Sequence, residues 1–130
     1  YRVYIAGQGL KEQTINNIHI APFFNFDAYL SESVLFINHG GQNSIADGLV
    51  YGVPLLICAG KVFERKYNAQ SIVKAGAGEE LTVAEFTSEE IKRVALQIIN
   101  NTEYQRNACR IGQELCSLGG VSVITSSIRQ

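Results

Sequence analysis

The run His39-Gly40-Gly41-Gln42-Asn43-Ser44 lies between two segments of different period. Before it, Val34-Leu35-Phe36-Ile37 is a short unbroken apolar run, the pattern of a parallel strand buried on both faces. After it, Ile45-Ala46-Asp47-Gly48-Leu49-Val50-Tyr51 reads as a helix, with Gly52 suited to the C-cap and Pro54 to a stop. A strand, a glycine-rich turn and a helix N-terminus together make an anion site. The first amides of a helix have no partner within it, and the helix dipole adds partial positive charge there. Gly40 and Gly41 let a phosphate approach the backbone closely. Asn43 and Ser44 either cap the helix or donate to phosphate oxygens, and His39 adds a further donor. Asp47, one turn in, is placed to accept hydrogen bonds from ribose hydroxyls.

Outward from this turn, strands are expected at Val3–Ala6, Ile18–Ala21, Val34–Asn38 and Leu55–Cys58, with a short fifth near Glu80–Val83. Helices alternate with the later strands, which argues for a parallel sheet with right-handed crossovers. One helix runs from about Glu64 to Lys74 and stops at Gly76-Ala77-Gly78. Thr87 with Glu90 forms a capping-box pattern ahead of Ile91, Val94, Ala95 and Ile98. Thr102 with Gln105 repeats the device for a helix reaching Leu118. Gly119-Gly120 breaks that helix, and Val121 to Ile128 reads as a final one. The link from Ala6 to Ile18 is too short for a comfortable helix. Ligands of open parallel sheets bind beyond the C-terminal strand ends. His39, Phe23 and Glu64 each follow such an end. His19 sits between Ile18 and Ile20 and reads as a surface or satisfied core histidine.

A chain of 130 residues, 46% of them hydrophobic, is one domain with a real core. A net charge of −1 gives no general attraction to nucleic acid or to anionic membrane. The longest uncharged apolar stretch is far too short to span a bilayer, no secretory signal is visible, and membrane association is left open. Cys58, Cys109 and Cys116 are odd in number and not in metal spacing. Cys109 and Cys116 share a helix face and are expected as buried thiols, which suits a reducing compartment and a cytoplasmic location. No carboxylate pair flanks the phosphate turn, so no metal and no cofactor is expected.

From Phe23 to Ala69 the chain resembles the donor-binding signature of nucleotide-sugar glycosyltransferases of the two-Rossmann-domain (GT-B) type. The resemblance is to the UDP-glycosyltransferase and macrolide-glycosyltransferase families. His39, Gly41, Asn43, Ser44 and Gly48 match the core, with Asp47 at an acidic position, and His39-Gly40-Gly41 is the macrolide-type form. Gly52-Val53-Pro54-Leu55-Leu56 and Asn68-Ala69 match downstream. Ile20-Ala21-Pro22-Phe23 and Phe26-Asp27-Ala28-Tyr29-Leu30 look like the stretch that holds the base. The resemblance implies a Rossmann-like α/β domain over residues 1–130, the C-terminal half of a GT-B fold, lacking an N-terminal acceptor domain. It implies that His39, Gly40, Gly41, Asn43 and Ser44 hold a diphosphate, Asp47 the ribose, and Phe23 the uracil by stacking. Phe24 is expected in the core instead.

The chain also departs from that pattern. Relatives carry Asp-Gln or Glu-Gln where this chain has Glu64-Arg65. Glu64 can accept from a sugar hydroxyl; Arg65 cannot accept at all. By position the resemblance gives Glu64 and Arg65 the sugar, but that contact differs, weakens or is lost, and Lys61, Arg65 and Lys66 read rather as a solvated helix start.

The function so implied is the UDP-sugar or TDP-sugar binding half of an inverting glycosyltransferase, transferring a hexose to a small lipophilic acceptor. Its base, usually a histidine, lies in the other domain, so no catalytic residue is expected here and the isolated chain is expected to be inactive. Two alternatives stand beside it. One is a natural donor-binding subunit of a two-chain transferase, as in the dolichol-linked N-acetylglucosamine enzyme. The other is a non-catalytic domain that has lost the donor site.

Overall fold

The computed structural model describes residues 1–118. Along the chain run β1 (Val3–Ala6), β2 (Gln13–Ile15), β3 (Ile18–Ala21), α1 (Phe26–Leu30), β4 (Phe36–Asn38) and α2 (Gln42–Val50). Then follow β5 (Leu55–Ile57), α3 (Phe63–Lys74), β6 (Gly78–Glu80), α4 (Ser88–Asn100) and α5 (Thr102–Ser117). The strands form two three-stranded sheets, in orders β1-β3-β2 and β4-β5-β6. The pairs β1–β3, β4–β5 and β5–β6 are parallel; for the last two this follows from the helices α2 and α3 between the strands, whereas β1 and β3 are joined without a helix. The final helix expected at 121–128 lies outside the described residues.

The link between β1 and β3 holds a strand, β2, antiparallel to β3, with Thr14 opposite His19. Asn16 makes the reversal in the left-handed region, at φ 54, where asparagine is among the residues that best tolerate it. His19 is satisfied here: its ring stacks on Tyr4 at 5.0 Å, and Nδ1 meets Thr14 Oγ1 at 3.3 Å.

The core sits on β5. Leu55, Leu56 and Ile57 are all fully buried. Leu55 and Ile57 pack with Leu49 of α2, Ile72 of α3 and Leu115 of α5, whereas Leu56 packs with Leu81, Val94 and Ile98. A strand alternates its side chains, so a run buried throughout must be covered on both faces. Helix α5 lies flush against α2, since a Cβ at Gly112 would overlap the Leu49 carbonyl.

Several boundaries differ from the sequence reading, each for a local reason. The fifth strand is Gly78–Glu80, not Glu80–Val83. Gly78 allows it against β5, where any Cβ would overlap the Leu55 carbonyl. Thr82 and Glu85 instead close a turn: the Thr82 amide donates to Glu85 Oε1 at 3.0 Å, and the Glu85 amide to Thr82 Oγ1 at 3.2 Å. Thr87 does cap α4, accepting from the Glu90 amide, but Glu90 turns to Arg93 rather than back to the cap. Helix α5 is capped by Asn101, whose Oδ1 accepts from the Glu103 amide at 3.1 Å, so Thr102 is already helical. Cys109 is half-buried and Cys116 exposed, not a buried pair. Both lie beside the stripe of Ala108, Gly112 and Leu115 that faces the core.

Candidate functional site

Strand β4 ends at Asn38, and that side chain shapes the turn that follows. Asn38 Oδ1 accepts from the Gly40 amide at 2.8 Å. Gly40 then turns left-handed at φ +86, which costs an L-residue about 1–2 kcal/mol and glycine nothing. A Cβ there would also lie 3.0 Å from the Arg65 carbonyl and 3.0 Å from Ile57 Cγ2. From the other side, the buried Asn68 of α3 donates its Nδ2 to the Gly40 carbonyl at 3.2 Å. The turn is therefore clamped between the end of β4 and the first two turns of α3.

Helix α2 starts at Gln42, three residues before the sequence reading put it. Gly41 is its N-cap, in extended backbone at ψ 141, and makes no side-chain cap hydrogen bond. Asn43 and Ser44 therefore belong to the first turn and are not the cap. Asn43 is exposed and Ser44 half-buried. The exposed His39 lies over Gly41, its Cε1 3.2 Å from where a Cβ would stand. Backbone amides of a first turn, a helix dipole, an imidazole and two short polar side chains thus collect at one place.

Asp47 is half-buried on the next turn of α2. Burial raises its carboxyl above the ordinary carboxylate range, and the negative Asp27 raises it further. Asp27 lies on α1, and Tyr51, just past α2, donates its hydroxyl to Asp27 Oδ1 at 3.0 Å. That bond in turn raises the Tyr51 phenol. Its place one turn into α2 and the acidic position of the resembling pattern pointed to Asp47; Asp27 joins it through the packing of α1 on α2.

The three aromatic residues ahead of α1 divide their roles. Phe24 is half-buried rather than in the core and packs against Tyr4 and Tyr29, with ring centroids at 5.6 and 5.1 Å. Phe26 lies 5.8 Å from Phe36. Phe23 is 76% exposed, which leaves its ring open to a ligand. Glu64 is exposed and Arg65 half-buried at the start of α3. Arg65 stands directly against Gly40, so the departure from the family pattern falls beside the phosphate turn. Asn38 and Tyr51 received no role from the sequence, and Asn68 and Asp27 were read only as members of matching stretches. An Asn at a strand end two residues before Gly40 is a local signal for Asn38; the partners of the others lie 24 and 28 residues away along the chain, which no local pattern shows.

The site is an open rim. Two concavities lie elsewhere, one of about 460 Å³ along α5 beside Arg106 and Arg110, and one of about 200 Å³ between α2, α3 and α5. The first concavity follows the face of one helix, and the second is lined mainly by core side chains.

Known proteins resemble this chain along nearly all of its length. An uncharacterised UDP-glucosyltransferase of Bacillus subtilis is 30% identical over 128 residues, covering 94% of this chain and 31% of that protein. The aclacinomycin-T 2-deoxy-L-fucose transferase of Streptomyces galilaeus is 27% identical over 101 residues, covering 77% of this chain and 23% of that protein. The chain thus spans about a third or less of the curated relatives it matches. Among solved structures, the calicheamicin glycosyltransferase superposes with a TM-score of 0.84 at 16% identity, over 99% of this chain and 34% of that one. At that identity the likeness is one of fold. The family model described as "Erythromycin biosynthesis protein CIII-like, C-terminal domain" matches residues 6–123. The chain belongs to that family of glycosyltransferase C-terminal domains.

Proposed function

We propose that this domain holds the nucleoside diphosphate of a UDP-sugar or TDP-sugar, as the donor half of an inverting glycosyltransferase. The observation that carries the reading is the clamped turn at Gly40. It presents the first turn of α2, whose N-cap Gly41 makes no side-chain hydrogen bond, with His39, Asn43 and Ser44 around it. Such a site stabilises the diphosphate as it leaves, because its dipoles are already aimed where charge grows. Asp47 takes the ribose hydroxyls, and Phe23 offers its face to the base. Glu64 accepts from the sugar, and Arg65 stands at the second sugar position, where it can donate but not accept.

The catalytic base and the acceptor site belong to an N-terminal domain in the parent enzyme, with a small lipophilic molecule as acceptor. All four residues of β1 are exposed, although parallel strands are ordinarily covered on both faces, and this supports further chain packing there. No helix among the described residues is long and apolar enough to cross a membrane. The three cysteines are free thiols, which agrees with a reducing, cytoplasmic setting.

Amide NMR titration with UDP and TDP tests the reading. Shifts are expected at His39, Gly40, Gly41, Asn43, Ser44 and Asp47, and in the ring of Phe23. No change in that turn at millimolar nucleotide overturns it.

A further inference from the structure

Phe23 and the phosphate turn belong to different parts of the fold. Phe23 follows β3, in the sheet of order β1-β3-β2, whereas His39 and Gly40 follow β4, in the sheet of order β4-β5-β6. A ligand that spans from one to the other needs the two parts held at a set distance. Helix α1 is the connection, and it has only five residues. A single helical turn has little stability of its own, so its position depends on what it touches.

On one side, α1 is anchored to the first sheet. Tyr29 packs on Tyr4 of β1 at 4.5 Å, and Phe24 packs on both. On the other side, two contacts reach toward the phosphate turn. Phe26 meets Phe36 of β4 at 5.8 Å, and Asp27 accepts from the Tyr51 hydroxyl at 3.0 Å. The ring contact is apolar and tolerates sliding. The hydrogen bond is directional, and it joins the first turn of α1 to the residue that caps the C-terminus of α2. Helix α2 carries the first-turn amides at one end and Tyr51 at the other, while Phe23 stands four residues before Asp27.

Resting on the donor-binding reading above, we propose that Tyr51 and Asp27 are positioning residues. Their hydrogen bond latches the Phe23 segment to α2 and so fixes the spacing between the base end and the diphosphate end of the nucleotide. Neither residue touches the ligand in this account. They act by keeping Phe23 where a base anchored by its diphosphate can stack on it. The acceptor matters more than the charge, so an amide oxygen at position 27 can keep the latch closed.

The test compares ligands that use one end of the site or both. UDP and inorganic pyrophosphate are titrated into the unmodified chain and into Tyr51→Phe, Asp27→Ala, Asp27→Asn and the double variant Tyr51→Phe with Asp27→Ala. Melting is followed in parallel. Loss of the latch is expected to weaken UDP about three- to tenfold, the equivalent of one ordinary hydrogen bond. Pyrophosphate is expected to bind all variants alike. The double variant loses no more than either single one, because both remove the same bond. Asp27→Asn recovers most of the affinity lost in Asp27→Ala. If UDP and pyrophosphate weaken together, the bond is merely structural and the proposal is wrong. If Tyr51→Phe binds UDP like the unmodified chain, the proposal falls and the donor reading stands. If the unmodified chain binds no UDP, both fall.

Discussion

The buried side-chain amide of Asn68 donates to the carbonyl of Gly40 at 3.2 Å, across 28 residues of chain. The Gly40 amide in turn donates to Asn38, so both peptide groups flanking the left-handed residue are held. Removing Asn68 leaves a carbonyl without its partner. We expect Asn68→Leu to cost about 1–3 kcal/mol of stability, the price of a buried unsatisfied group, and to weaken UDP binding with it. Asn68→Asp is expected to be as damaging, because a carboxylate oxygen then faces a carbonyl oxygen. Chemical denaturation alongside UDP titration checks both. A variant that melts normally and binds UDP normally would remove Asn68 from the turn's support.

His39 and Ser44 are expected to behave in the opposite way. His39 is exposed, and Ser44 is a first-turn residue that does not cap the helix. Truncating either to Ala should leave the melting point nearly unchanged. Each should weaken nucleotide binding by about 1.5–3 kcal/mol, the range for a hydrogen bond to a charged group. Thermal melts beside nucleotide titrations separate the two effects. Binding that survives while the melting point collapses would make His39 a structural residue.

Asp47 should show a conflict between stability and binding. Its carboxyl is raised by burial and then by Asp27, so the folded chain holds that proton more tightly than the unfolded chain. The stability so gained is present below the unfolded pKa and is lost as pH rises through the raised folded value. At neutral pH the ionised group therefore opposes folding. Asp47→Asn is expected to melt slightly higher at pH 7, with the difference vanishing in acid. The same variant is expected to bind UDP more weakly at pH 7, because an ionised carboxylate is the better acceptor for ribose hydroxyls. In the unmodified chain the ribose contribution should fade at a higher pH than an ordinary aspartate would allow. Titrating UDP against both proteins from pH 7 into acid measures it, and parallel pH profiles would refute the role.

The Glu64-Arg65 pair should make the sugar a minor contributor. Arg65 packs its backbone on Gly40 and carries no acceptor for a hydroxyl. UDP is expected to bind at least as well as UDP-glucose. Arg65→Gln should raise discrimination in favour of UDP-glucose, and Glu64→Ala should erase whatever preference exists while leaving UDP untouched. Calorimetry with the two ligands decides. A strong preference for UDP-glucose in the unmodified chain, insensitive to Glu64→Ala, would show that another residue holds the sugar.

Short-range spacing was enough to read the parallel α/β character, the glycine turn between β4 and α2, and the cap at Thr87. Each depends on residues within a few positions of one another, where steric preference and period act directly. Phe24 was read as core and is half-buried on Tyr4 and Tyr29, while Phe23 was singled out by the family resemblance and not by spacing. Packing alone settled the rest. The strand at Gly78 was hidden because its determinant is the missing Cβ beside Leu55, a contact between distant segments. Asn101 displaced Thr102 as the cap: its backbone is extended and its side chain accepts from the Glu103 amide, which leaves Thr102 as the first helical residue. Asn68 on Gly40 and Tyr51 on Asp27 join residues 28 and 24 positions apart, and no local pattern encodes such pairs. Hydrophobic period specifies which faces of the elements must be buried. The directional bonds that set the candidate site form only after those faces have met.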